Sequence, residues 1–295
     1  MASAELQMVI DLLRAQPIPR DATFADQRAA MESLTAMAPQ PEGATCTPCE
    51  VGGRAAEWVV AAGARDDRAL LYLHGGGYCI GSINTHRTLA ADLSRAAGVR
   101  VLVIDYRLAP EHPFPAAVDD AVAAYRFLLD AGYDRRRLAI AGDSAGGGLT
   151  AATLLALREQ DVPLPACAAL LSPWLDLSQS GDSMRRCAEL DPMVQRDGLQ
   201  RMAEAYLAGK PAETPLASPL FADLRHLPPL LIHVGTAETL LDDSTRFAAR
   251  AKDAGVDATL EVWDDMIHVW HAFGMLPEAR DAQARVGEFL RRHLG

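Results

Sequence analysis

The sequence predicts an α/β chain: a mostly parallel central sheet of about eight strands, flanked by helices, with a helical cap over the strand ends. Three observations carry this. Short apolar runs alternate with amphipathic stretches from about residue 69 to the C-terminus, and such alternation implies crossover connections and parallel pairing. The 295 residues, 49% apolar and 23% charged, can bury one large core and exclude a disordered or fibrous chain. Two helical stretches, residues 1–45 and 180–215, break the alternation. They are read together as the cap, beyond the carboxyl ends of the strands where open sheets bind ligands. The division that follows is a cap of 1–45 and 180–215, and a main domain of 46–179 and 216–295.

Each element has a local reason. Leu6, Val9, Ile10 and Leu13 recur at helical spacing, and Pro17-Ile18-Pro19 ends that helix. Asp21 to Met37 is a second amphipathic stretch, closed by Pro39 and Pro41. A first strand pair is expected from Glu57–Ala61 onward, and Ala69–Leu73 is an apolar run stopped by glycines, as in a buried strand. A helix is expected at Thr85–Ala97, a strand at Arg100–Asp105 and a helix at Ala117–Ala131. There follow a strand at Arg137–Ala141, a helix at Ala145–Glu159 and a strand at Ala166–Leu171. Residues 185–210 read as a surface helix. Strand Leu230–Gly235, helix Asp242–Ala254, strand Ala258–Trp263 and helix Glu278–His293 complete the chain.

A net charge of −11 repels phosphate backbones and argues against a nucleic-acid partner. The most apolar stretch, Leu138 to Leu157, contains Asp143 and several glycines, so it reads as two elements and not a membrane span. Glu5 and Asp11 sit where a secretory signal would need basic and apolar residues, so a cytoplasmic protein is expected. The five cysteines are scattered and odd in number, which does not suggest a disulfide framework. Cys46-Thr47-Pro48-Cys49 lacks the strand–helix context of a redox pair and a second ligand pair for zinc, and is read as two unrelated loop cysteines.

Chemistry concentrates in two glycine-rich turns. Gly142-Asp143-Ser144-Ala145-Gly146 follows the apolar strand and opens a helix. A serine on such a sharp turn needs small neighbours two residues away, and the turn lifts its hydroxyl towards the positive end of the helix dipole. That makes Ser144 a candidate nucleophile. Upstream, His74-Gly75-Gly76-Gly77 leaves the end of the Ala69–Leu73 strand. Glycines let backbone N–H groups approach a developing negative charge, as acyl transfer requires, and the candidate oxyanion donors are Gly76, Gly77 and Ala145.

Taken together, His74–Gly77 with Gly81, Gly142–Gly147, and Tyr106-Arg107-Leu108-Ala109-Pro110-Glu111 followed by Pro113-Phe114-Pro115-Ala116 resemble the hormone-sensitive-lipase-like esterases. That family is a branch of the α/β-hydrolases, and the resemblance spans about residues 55 to 290. It implies a carboxylesterase acting on short- and medium-chain acyl esters, with a small-molecule substrate, no cofactor, no metal, and room for a homodimer. This fold uses the order serine, acid, histidine. Among the histidines after Ser144, His268 follows the Ala258–Trp263 strand and resembles the family's position, with His271 the runner-up. A metal reading of His268 and His271 lacks a third ligand. The family's Asp-Pro-Leu-x-Asp-Glu run aligns with Glu238-Thr239-Leu240-Leu241-Asp242-Asp243. Glu238 becomes the acid, and Asp242 and Asp243 read as helix-start charge. Asp191-Pro192-Met193 is assigned to the cap, Asp143 to local bracing of the turn, His74 to holding the glycines, and Arg107 with Glu111 to a structural pair or loop brace without a catalytic part. Two competing readings remain: a receptor-like ligand-binding protein, as in the plant gibberellin receptors that resemble this family and lack the histidine, and an amidase or lactonase using the same triad.

Overall fold

A computed structural model describes residues 3–15, 22–36 and 41–295. Two helices, α1 (Ala4–Ala15) and α2 (Phe24–Ala36), precede an eight-stranded sheet. Its strands are β1 (Ala44–Val51), β2 (Arg54–Ala61), β3 (Arg65–Leu73), β4 (Val99–Ile104), β5 (Leu138–Asp143), β6 (Cys167–Leu171), β7 (Leu230–Gly235) and β8 (Ala258–Trp263). The remaining helices are α3 (Ile83–Ala97), α4 (Ala116–Asp130), α5 (Ala145–Glu159), α6 (Ser183–Arg186), α7 (Arg196–Leu207), α8 (Leu241–Asp253) and α9 (Pro277–Leu294). The helix end at Pro17–Pro19, the start at Asp21, and Met37 and Pro39 lie outside the described residues.

The strand order is β1-β2-β4-β3-β5-β6-β7-β8. β2 runs antiparallel to β1 and β4, and every later pair is parallel. Alternation along each strand feeds two cores. Leu138 and Ile140 of β5 face one core with helices α4, α5 and α8. Ala139 and Ala141 face the other with α3 and α9. β5 therefore lies in mid-sheet, buried on both faces. A third cluster joins Leu6 and Val9 of α1 to Met266, Ile267, Trp270 and Ala279, which fixes the N-terminal helix against the loop after β8.

One strand escaped the sequence reading. β1 is an edge strand with half of its residues exposed and carrying Pro48, so it lacks the apolar run that marks buried strands and keeps its proline where no inner ladder needs the N–H. Cys46 and Cys49 are consequently strand residues, not loop residues. They point to opposite cores and both are free thiols; burial raises their pKa values. Among the described residues no helix is long and apolar enough to cross a membrane.

Candidate active site

The site is built at the carboxyl ends of β3, β5, β6, β7 and β8. Ser144 sits between β5 and α5 with φ 52° and ψ −121°, a conformation costly for an L-residue. The turn is held from both sides: Ser144 N–H donates to Leu171 O (2.9 Å) and Ser144 O accepts from Trp174 N–H (2.8 Å). Glycine is required on either flank. A Cβ on Gly142 would overlap Gly146 O, and one on Gly146 would overlap the Leu73 carbonyl oxygen.

Gly76 and Gly77 adopt φ 108° and 59°, the left-handed half of backbone space that only glycine enters freely. Space is equally restrictive, since a Cβ at Gly76 would overlap Ile80 O and one at Gly77 would strike Met202 Sδ of α7. Among the described residues, the N–H groups of Gly76, Gly77 and Ala145 donate to no protein acceptor. His74 holds the loop as expected: its Nδ1 lies 2.7 Å from Gly75 O, its ring stacks 4.2 Å from Tyr106, and burial lowers its pKa to about 3.

Glu238 and His268 meet directly. His268 Nδ1 is 2.9 Å from Glu238 Oε2, and both side chains are buried. Glu238 Oε1 accepts from Gly235 N–H and from Ser172 Oγ, each at 2.7 Å. Burial pushes the Glu238 carboxyl up, and the three donors counter it. Burial works against the charged form of His268, but the hydrogen bond and charge of Glu238 outweigh it and the pKa ends above 6.5. His271 is a packing residue: buried, 3.9 Å from the Trp270 ring centroid and 3.1 Å from His233 Nδ1.

Ser172 is the residue that sequence reasoning missed. Fully buried with φ 46°, it donates to Glu238 and accepts from Val269 N–H (3.1 Å), the residue after His268. One hydroxyl thus ties the acid to the histidine loop. Its only sequence trace is a serine at a strand end before Pro173.

Other assignments need revision. Arg107 does not pair with Glu111: it forms a bidentate pair with Asp120 (2.8–3.0 Å). Glu111 pairs instead with Arg28 of α2. Asp143 makes long-range contacts to Tyr72 and Gly75 and not merely local ones. Asp243 is no helix-start surface charge. It is buried, its Oδ2 accepts from Leu175 and Asp176 N–H, and burial raises its pKa to about 8. Asp242 is half-buried, paired with Arg186 (3.0 Å) and accepting from Ser183 N–H (2.9 Å). Asp191 lies in the inserted segment and accepts from Thr239 N–H (2.9 Å), steadying the residue after Glu238. Among the described residues no cluster of three or more His, Cys, Asp or Glu side chains could hold a metal.

Comparison with known proteins agrees with this architecture. Residues 70–272 match the family model described as the alpha/beta hydrolase fold. The chain is 46% identical to an acetyl-hydrolase of Streptomyces hygroscopicus, covering 100% of this chain and 99% of that one. It is 36% identical to an esterase of Acinetobacter venetianus over 89% of this chain and 87% of that one. A solved esterase from the bacterial hormone-sensitive lipase family superposes with a TM-score of 0.97 at 52% identity, covering 100% of both chains. Fold and relatives define an enzyme, a carboxylic ester hydrolase on an α/β-hydrolase scaffold. More closely, the chain belongs to the hormone-sensitive-lipase-like esterase family.

Proposed function

We propose that this enzyme hydrolyses short- to medium-chain acyl esters by two-step acyl transfer through Ser144, His268 and Glu238. His268 Nε2 takes the Ser144 proton as Oγ attacks the ester carbonyl carbon. Glu238 keeps the Nδ1 proton in place and stabilises the imidazolium. The N–H groups of Gly76, Gly77 and Ala145 receive the oxyanion, where one donor is typically worth about 3–4 kcal/mol. His268 then protonates the leaving alcohol, and water repeats the sequence on the acyl-enzyme. The observation that carries the reading is the 2.9 Å contact between His268 Nδ1 and Glu238, on loops that leave the same rim of the parallel sheet as the strained Ser144 turn. The helices of residues 1–45 and 180–215 act as the cap: Met202 of α7 lies over Gly77, where it shapes the space beside the carbonyl. A relative named acetyl-hydrolase supports the short end of the acyl range.

The test is p-nitrophenyl esters of graded chain length beside matched amides, with wild type and Ser144→Ala. Wild type should turn over the acetyl and butyryl esters fastest and be labelled stoichiometrically by a serine-directed phosphonate. Ser144→Ala should do neither while folding normally. Ester turnover by that variant near the wild-type rate would overturn the assignment.

A further inference from the structure

Beneath the candidate oxyanion loop lies a second histidine–carboxylate pair that the reaction scheme leaves unused. Asp143, directly before Ser144, is buried at the end of β5. Its Oδ1 accepts from Tyr72 OH (2.7 Å) and Gly75 N–H (3.1 Å), and its Oδ2 lies 3.4 Å from His86 Nε2 of α3. Gly75 directly precedes Gly76 and Gly77, and a Cβ on it would overlap the same carboxylate. One side chain thus joins the strand end that carries the nucleophile to the start of the loop that carries the donors.

The surroundings of His86 offer an acceptor to each ring nitrogen. Thr85 Oγ1 donates its proton to Ser82 O (2.9 Å) and accepts from Ser82 N–H (2.9 Å). It also faces His86 Nδ1 at 2.7 Å, and while its own proton stays on Ser82 O it accepts from a protonated Nδ1. Ser82 O, 3.3 Å away, is a second acceptor for that proton. On the other side Nε2 faces a carboxylate, which also accepts. Gly75 N–H lies 3.3 Å from Nε2 but has the nearer acceptor in Asp143 Oδ1. A site with an acceptor for each nitrogen, one of them a carboxylate, suits an imidazolium.

The groups around the ring agree. Asp143 faces it from β5, Tyr72 from β3, His74 from the loop after β3, and Asp105 from the end of β4. Burial pulls the His86 pKa down, but the Asp143 charge and hydrogen bond outweigh it and the value is raised. Burial pushes Asp143 up, yet His86 and the Tyr72 hydroxyl hold it at about 2.

We propose that His86 and Asp143 form a buried imidazolium–carboxylate pair that positions the oxyanion donors over Ser144, making His86 a positioning residue for ester hydrolysis. The pair works on the loop and not on the ground-state ester, so its loss should fall on kcat. The proposal rests on Ser144 being the nucleophile.

A spectrum, steady-state kinetics, inhibitor affinity and a pH profile test it. In 15N-histidine-labelled wild-type enzyme at pH 7, the His86 ring, assigned by its loss in His86→Gln, should carry protons on both nitrogens. In His86→Gln, which keeps a donor but loses the charge, kcat for p-nitrophenyl acetate should fall about 10–100-fold with KM changed less than about threefold. Affinity for a tetrahedral boronate should fall by the same factor. In wild type, kcat should decline at alkaline pH as the His86 proton is lost, and His86→Gln should lack that decline. A neutral, singly protonated His86 at pH 7 would overturn the proposal, as would an unchanged kcat in His86→Gln. Should the variant fold poorly, the ring is assigned instead by its proximity to Tyr72 and His74, so the wild-type spectrum still decides. Phosphonate labelling of Ser144 in wild type reads the nucleophile separately, so the proposal can fall while the esterase mechanism stands.

Discussion

Removing the Ser172 hydroxyl tests the tie between the acid and the histidine loop. In Ser172→Ala, Glu238 loses a 2.7 Å donor and Val269 N–H loses its 3.1 Å acceptor. A hydrogen bond to a charged acceptor is worth about 1.5–3 kcal/mol, and an orphaned buried donor costs about 1–3 kcal/mol. Glu238 Oε1 keeps Gly235 N–H, so the first contribution belongs at the low end. Ser172 is 0% exposed, so water cannot replace the hydroxyl, and the total is about 3 kcal/mol. At about 2–4 °C per kcal/mol the melting temperature should drop by roughly 6–12 °C. kcat/KM for p-nitrophenyl acetate should fall about tenfold, because His268 and Glu238 are no longer held in one frame. Ser172→Gly is the control. It loses the same hydroxyl but relieves the positive φ of 46°, so it should melt higher than the alanine variant by the equivalent of about 1 kcal/mol and be equally slow. Calorimetry and steady-state kinetics on both variants suffice. An alanine variant with unchanged melting temperature and kcat/KM would refute the reasoning.

Three further outcomes are expected. On the proposed mechanism a protonated His268 cannot accept the Ser144 proton, so kcat/KM should fall as pH drops through its pKa; because that pKa is raised, the midpoint should lie above 6.5, and Glu238→Gln should move it down while lowering the plateau. Gly146→Ala places a methyl onto the Leu73 carbonyl oxygen, so either soluble expression or kcat should collapse, the latter by at least about 100-fold, as read by circular dichroism and ester turnover. Arg28 reaches Cys79 O (2.7 Å) and Ala109 O (2.8 Å) as well as Glu111. Glu111 is 54% exposed, so solvent screens that pair, and Glu111→Gln should cost less than about 1 kcal/mol in urea denaturation, whereas Arg28→Ala should cost about 2 kcal/mol through the lost carbonyl contacts.

What the sequence disclosed follows from range. Elements with a strong period, such as β5 and α5, emerged within a residue or two because neighbours along the chain determine them. The meeting of Glu238 with His268 was legible because each follows a strand end, and parallel strands deliver their ends to one rim. Partners of charged side chains were not legible. Arg107 finds Asp120 and Glu111 finds Arg28 because folding decides which arginine arrives, and spacing along the chain carries no record of it. Asp243 looked like surface charge because helix starts favour acids; its burial under the Leu175–Asp176 backbone depends on a loop far away in sequence. β1 stayed hidden because an edge strand with one wet face needs no apolar run.

β6 and β7 are adjacent and parallel, yet the whole stretch from Ser172 to Pro229, α6 and α7 included, is inserted between them. The insertion leaves and returns at neighbouring points on the rim, so its length is decoupled from the spacing of Ser144, Glu238 and His268. Under the proposed cap assignment, the outer part of this insertion can therefore vary as an exchangeable module. The anchoring points to preserve are Ser172 and Asp191, because each grips the acid or its loop from inside the insert.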